Sequence, residues 1–124
     1  SIKLSELAIG IGPFVVGPSI ERKIGLSAFS QLTINATSWH TAEWAREKGL
    51  FSDVYETVHK MDVAITNLAE KLALSNPDSM RGLKEIMWEG TEHWDELLMK
   101  RAEISGTRIL SNFTRKTLEE LNKN

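Results

Sequence analysis

Glu6 is the first residue of this sequence whose type and setting could do chemistry. It lies between Leu4 and Leu7, in a stretch that is otherwise apolar. A carboxyl group in such surroundings can pass a proton to or from a reacting carbon at neutral pH. A glutamate near a chain terminus is also commonly solvated, so the position by itself leaves both interpretations open.

Glycines and prolines are dense just after Glu6, at Gly10, Gly12, Pro13 and Gly17. They do not form a phosphate loop, because no Gly-Lys-Ser/Thr ending follows and no third glycine opens a helix with the required spacing. This spacing instead favours a tight turn in which the backbone can approach a neighbouring group closely.

Glu89 and His93 are candidate metal ligands, since a spacing of four would place both on one face of a helix. The Glu-x-x-His pattern of di-iron bundles is absent from this segment, because Gly90 occupies the required position. His40 and His59 have no suitably spaced partners. We therefore predict no metal site.

Nucleophilic chemistry finds no support in the sequence. It contains no cysteine, which excludes disulfides, thiolate nucleophiles and zinc–thiolate sites. No serine lies in a Gly-x-Ser-x-Gly elbow.

The composition of the 124 residues is that of a soluble globular protein, with 41% hydrophobic and 26% charged residues. Acids and bases are interspersed at a net charge of −2, so there is no basic face for nucleic acid. No apolar run approaches the roughly 18–20 residues of a membrane span. We predict a cytoplasmic protein that binds no nucleic acid. The start at Ser1, without Met, also predicts truncation or processing of a longer chain.

Apolar periodicity and capping residues predict a mainly α chain with a short extended, turn-rich beginning. Residues 1–9 are expected to form a short extended segment and a loop, followed by a turn-rich connection. Residues 51–55 are rich in β-favouring types and predict a short strand. Helices are predicted at 18–24, 28–34, 42–48 and 58–74, and starting at Pro77, at Thr91 and at Ser111 or Asn112.

Four stretches resemble, in order and spacing, segments of the crotonase family of enoyl-CoA hydratases and isomerases. Residues 4–13 resemble the segment in which a Glu is followed by a Gly and then an Ile-Pro pair. Residues 42–50 resemble the Ala-Glu-x-Ala-x-x-x-Gly-Leu stretch before a final strand. Residues 24–28 are similar to a Val-Gly-x-x-x-Ala helix junction, and residues 68–77 to a long helix ended by an Asn-Pro turn.

The resemblance implies a fold and a division of the chain. The chain would be the helical carboxyl-terminal region of a crotonase-like fold, with an extended piece left from its spiral ββα core. Residues 1–56 would be the last part of that core, comprising a loop, the acyl-pocket helices and a final short strand. Residues 57–124 would be the helical oligomerisation region, and a homotrimer or hexamer is expected.

The resemblance also implies an activity. Hydratases of the family use two glutamates to hold a water, which is added across the α,β double bond of an enoyl-CoA. Two backbone N–H groups stabilise the thioester enolate as an oxyanion hole. By position, Glu6 would be the second of these glutamates. Coenzyme A would be part of the substrate, with no separate cofactor. The residues implied to bind the acyl group are Gly10, Ile11, Gly12, Pro13 and Phe14.

Several family features are missing or altered. The first catalytic Glu and both oxyanion-hole donors would precede Ser1, so the chain by itself is expected to be inactive. Ser5 replaces the usual Pro, and Gly12-Pro13 reverses the expected order. These departures leave hydratase, isomerase and related lyase open, with a branched, methylglutaconyl-type thioester as one candidate substrate.

A non-catalytic helical interaction module is the rival hypothesis. The enzyme hypothesis predicts that Glu6 faces an apolar pocket formed by residues 10–24. The module hypothesis predicts that Glu6 lies in solvent.

Overall fold

The computed structural model describes residues 1–123. Their architecture is mainly α, as predicted: a short 3₁₀ helix precedes six α-helices, and no β-strand occurs among them. The 3₁₀ helix spans Glu6–Ile9. The α-helices are α1 (Gly17–Ile34), α2 (Ala42–Glu47), α3 (Val58–Ala73), α4 (Pro77–Trp88), α5 (Trp94–Ile109) and α6 (Asn112–Leu121).

The chain divides into two compact units. The first contains residues 1–52 and 95–124, and the second contains residues 53–94. The family resemblance implies a different division, into residues 1–56 and 57–124. That division describes the evolutionary origin of each part, which the compact units do not test, so it stays a prediction.

The extended beginning is shorter than predicted. Ile2 and His40 form one antiparallel bridge, with both N···O distances at 2.9 Å. The chain then turns into the 3₁₀ helix, where Ala8 N–H donates to the Ser5 carbonyl. The predicted extended segment is thus reduced to one bridge, and the predicted loop contains a 3₁₀ helix, because without a neighbouring strand these backbone groups find partners within a local turn.

Helix α1 contains the two predicted helices joined at Gly25. That residue has φ 75° and ψ 161°, a conformation that only glycine adopts readily, so the helix axis breaks there. Helix α2 begins as predicted at Thr41, whose hydroxyl accepts from Trp44 N–H at 3.0 Å. The buried apolar side chains of the first unit are few and mostly small: Ala28, Leu32, Ala36 and Ala45.

The predicted strand over 51–55 does not form. A strand requires a neighbour to pair its N–H and C=O groups, and the described residues offer none. Asp53 instead accepts a hydrogen bond from Val54 N–H at 2.8 Å. The pKa of the Tyr55 phenol is raised, chiefly by desolvation and further by the Asp53 carboxylate.

The second unit is built from α3 and α4, which begin at the predicted residues Val58 and Pro77. Thr57 accepts from Lys60 N–H at 3.2 Å, and Asn76 accepts from Ser79 N–H at 2.9 Å ahead of Pro77. No residue of 53–94 is buried. The apolar stripes predicted to be core are therefore uncovered in this unit.

Helix α4 ends where the metal interpretation required a helix to continue. Glu89 is its C-terminal cap, and Gly90 adopts φ 81°. Glu89 and His93 therefore do not share a helical face. Within residues 1–123, no cluster of three or more His, Asp or Glu side chains could hold a metal ion.

Helix α6 begins at the predicted cap, Ser111, whose hydroxyl accepts from Thr114 N–H at 3.2 Å. Helix α5 begins at Trp94, three residues after the predicted Thr91. The helices of residues 1–123 all fall short of the combined length and apolar character that crossing a bilayer demands.

Candidate functional site

The five residues implied to bind an acyl group lie together around one cavity of about 400 Å³. We call this cavity the 10–14 groove. Its volume is within the range of small-molecule sites, roughly 300–1,000 Å³. All of its lining residues belong to the first unit: Leu7, Gly10, Ile11, Gly12, Pro13, Phe14, Thr33, Ile34 and Arg108.

Gly10 connects the 3₁₀ helix to the loop of the groove. Its N–H donates to the Leu7 carbonyl at 3.1 Å, and its φ of 81° is in the left-handed region. A Cβ atom at this position would lie 2.5 Å from Phe113 Cδ1 and 2.9 Å from Thr114 Oγ1. Gly10 is therefore required twice, once for its backbone angle and once for close packing on α6.

Gly10→Ala is expected to lower the free energy of unfolding by roughly 1–3 kcal/mol, the cost of a strained backbone conformation, with steric overlap in addition. Gly106→Ala is the matched control in the same unit, because nothing lies within 4 Å of a Cβ there. As Gly106 is inside α5, its replacement should stabilise by roughly 0.5–1 kcal/mol. Urea titrations followed by circular dichroism measure both, and shifts of equal sign would contradict this account of Gly10.

The rest of the loop is held by hydrogen bonds at both sides of Phe14. Phe14 N–H donates to the Gly12 carbonyl at 2.7 Å, and Gly17 N–H donates to the Pro13 carbonyl at 2.8 Å. Arg101 of α5 donates from Nη1 to the Phe14 carbonyl at 3.3 Å. A segment distant in sequence thus fixes the loop, so the groove is preformed rather than assembled by a ligand.

The wall of the groove is apolar except at Thr33 and Arg108. The Thr33 hydroxyl already faces carbonyls of its own helix, those of Phe29 at 3.0 Å and Ser30 at 3.2 Å. The Arg108 guanidinium has no hydrogen bond or ion pair within the described part of the chain. The groove therefore offers an apolar surface and one cation that no protein acid neutralises.

Glu6 lies next to the groove in sequence but is not one of its lining residues. It opens the 3₁₀ helix, and its backbone carbonyl accepts from Ile11 N–H at 2.9 Å. Successive side chains of a 3₁₀ helix point about a third of a turn apart. Leu7 therefore contributes to the groove while the Glu6 carboxylate does not.

The Glu6 carboxylate is nevertheless not freely solvated. Its Oε2 atom is buried, and no protein group among residues 1–123 donates a hydrogen bond to it. Buried polar atoms are nearly always paired, since leaving one unpaired costs about 1–3 kcal/mol. Oε2 is thus a buried acceptor whose hydrogen-bonding capacity no described protein group uses.

Sequence reasoning missed Arg108. It is far along the chain from the glycine-rich loop, and a basic residue in the last turn of a helix is fully explained by the helix dipole. No local signal connects it to the loop.

A second cavity of the first unit, of about 580 Å³, is lined by Ser27, Ser30, Gln31, Ile34, Asn35 and His40. None of the predicted site residues belongs to it. His40 Nε2 is buried without a hydrogen-bond partner in the described chain, and its ring lies 4.2 Å from that of Trp44. Burial of that nitrogen places it out of reach of a ligand in this cavity.

Comparison with models of known protein families, with curated proteins and with solved structures yields no match to this chain.

Proposed function

We propose that this chain is the carboxyl-terminal portion of a cytoplasmic enoyl-CoA hydratase or isomerase, in which the 10–14 groove receives the acyl group. The observation that supports the proposal is that the contiguous segment 10–14 lines one largely apolar cavity. These residues were singled out by resemblance to an acyl-binding segment, and they need not have shared a cavity. The alternatives within the family, including a methylglutaconyl-type hydratase, stay open.

In the proposed reaction, water adds across the α,β double bond of an enoyl thioester. Its hydroxyl joins the β-carbon and a proton joins the α-carbon. Glu6 would transfer that proton or orient the water. This role rests on the resemblance, because the Glu6 carboxylate does not line the 10–14 groove.

The proposal assigns the other catalytic groups to a part of the protein outside these residues. An oxyanion hole is commonly the largest single contribution to such catalysis. We therefore expect no measurable hydration of crotonyl-CoA by residues 1–124 alone. Turnover that persists in a Glu6→Gln variant would reveal a contaminant, whereas turnover abolished by that variant would show that the chain has a complete site.

Ligand binding tests the proposal directly. Titration of the ¹⁵N-labelled chain with crotonyl-CoA should shift the amide signals of Gly10 and Gly12, which line the groove. Gly82 and Gly106 are internal controls, because each lies within a helix and neither lines the groove. Free coenzyme A should leave Gly10 and Gly12 unchanged, since the groove is assigned to the acyl group. Failure of crotonyl-CoA to move either signal at millimolar concentration would overturn the proposal.

A helical interaction module without catalysis is the second candidate. It is favoured by one observation: no residue of 53–94 is buried, although α3 and α4 have many apolar side chains. Such surfaces typically bind another protein. The glycine titration separates the two candidates, because a pure interaction module has no reason to bind an acyl thioester at Gly10.

A further inference from the structure

We propose that Arg108 is a specificity-determining residue of the 10–14 groove and binds a carboxylate at the end of a short apolar acyl chain. The inference rests on the proposed function, since it names the class of acyl group that the groove would take. It assigns a role to a side chain that the loop motif does not contain.

Arg108 is suited to an anion because nothing in the described chain pairs with it. Arg108 is an exposed residue that lines the groove, and its guanidinium has neither a hydrogen bond nor an ion pair among residues 1–123. The remaining wall is apolar apart from Thr33. A ligand that satisfies both features has an apolar body and an anionic end, and a planar guanidinium binds a carboxylate through two parallel hydrogen bonds.

The backbone of Arg108 is fixed where α5 leads into α6. Its carbonyl accepts from Thr114 Oγ1 at 3.1 Å and from Ser111 N–H at 3.0 Å. Thr114 is fully buried, and it also contacts the Gly10 position. The packed Thr114 cluster therefore fixes the positions of both the loop and the Arg108 backbone. This reduces the conformational entropy that is lost when a ligand binds.

The charge at the site favours a carboxylate over a phosphate. Arg108 also lines a neighbouring cavity of about 370 Å³ with Lys100 and Glu103. Lys100 is already paired with Glu96 at 2.6 Å, and Glu103 adds negative charge. One unpaired cation beside an acid matches the single charge of a carboxylate, whereas a doubly charged phosphate would lack a second cation.

Isothermal titration of the 124-residue chain with two thioesters of equal acyl length tests the inference. Glutaryl-CoA ends in a carboxylate and valeryl-CoA ends in a methyl group. We expect glutaryl-CoA to bind roughly tenfold more tightly, which is the size of a charge-assisted hydrogen bond. In Arg108→Gln the ratio of the two affinities should fall to about one.

Arg115→Gln is the matched control, since it removes an equal charge from an exposed side chain outside the groove. It should keep the preference for glutaryl-CoA. A preference that survives in Arg108→Gln, or that is lost equally in Arg115→Gln, overturns the inference. So does equal binding of the two thioesters, although that result leaves the proposed function standing.

Free valerate separates the inference from the proposed function. If neither thioester binds, the proposed function fails. Binding of valerate that Arg108→Gln abolishes would then still support a carboxylate site, now one for a free acid. Absence of valerate binding as well would overturn both.

Discussion

Replacing Leu32 by alanine is expected to lower the free energy of unfolding of the first unit by roughly 2–5 kcal/mol, the usual cost of a large-to-small change in a core. Leu32 is fully buried, and the other buried apolar side chains of the described residues are the alanines 28, 36 and 45. Three alanines bury little apolar surface. A single leucine thus supplies most of the hydrophobic stabilisation of this core, and its loss also leaves a cavity.

Leu26→Ala is the control for this experiment, because it makes the same chemical change in α1 at a side chain that is 66% exposed. A surface substitution of this kind changes stability by about 0.5 kcal/mol or less. Urea denaturation at one fixed protein concentration, followed by circular dichroism, compares the two variants. Equal loss of stability in both would show that Leu32 is not the centre of the core.

Local chemistry made the helices predictable. Thr41 and Ser111, which were predicted as caps, accept a hydrogen bond from a backbone N–H of the first helical turn. Thr57 and Asn76 do the same at α3 and α4, where only the start of the helix was predicted. Gly25 breaks α1 because its backbone angle is open to glycine alone. These signals act within a few residues, so the sequence contains them in full.

The predicted elements that failed needed a distant partner. Residues 51–55 have β-favouring side chains, but a strand exists only beside another strand. Residues 1–9 likewise pair at a single bridge, Ile2 with His40, before forming a 3₁₀ turn. In both cases the side-chain types predicted strand formation poorly, because a strand forms only where a second strand pairs with its backbone N–H and C=O groups.

The candidate site was predictable in part for the same reason. The loop residues 10–14 are contiguous, so a motif could single them out together. The contributions of Arg101 and Arg108 depend on how α5 packs against that loop, and no sequence pattern encodes that packing. The absence of Glu6 from the groove lining depends on the 3₁₀ helix, which was not predicted within the loop.

The apolar stripe of α3 is expected to drive self-association of the chain. Positions 58, 61, 65, 68 and 72 recur at three- and four-residue steps and form one face of the helix. Ile65 is 56% exposed and Leu68 is 58% exposed, although both are strongly apolar. A face of this kind rarely stays in water, and the helical region of the proposed family is expected to form trimers or hexamers.

A double change of Ile65→Glu and Leu68→Glu should weaken this association by roughly 3 kcal/mol, or about 100-fold in the dissociation constant. The figure corresponds to two side chains that each lose about half of their full burial energy. Sedimentation velocity over a range of concentrations measures it. The wild-type chain should sediment as an oligomer, and the double variant should become a helical monomer under the same conditions.

Val63→Glu is the control that distinguishes association through the α3 stripe from non-specific hydrophobic association. At about 100° per residue, Val63 lies on the opposite side of α3 from the stripe, and it is 46% exposed. The Val63→Glu substitution makes the same apolar-to-acidic change outside the proposed interface, so it should leave the oligomer intact. Dissociation by Val63→Glu as strong as that of the double variant would reject the stripe as the interface. A wild-type chain that is monomeric at every concentration, and binds no dye specific for apolar surface, would contradict self-association altogether.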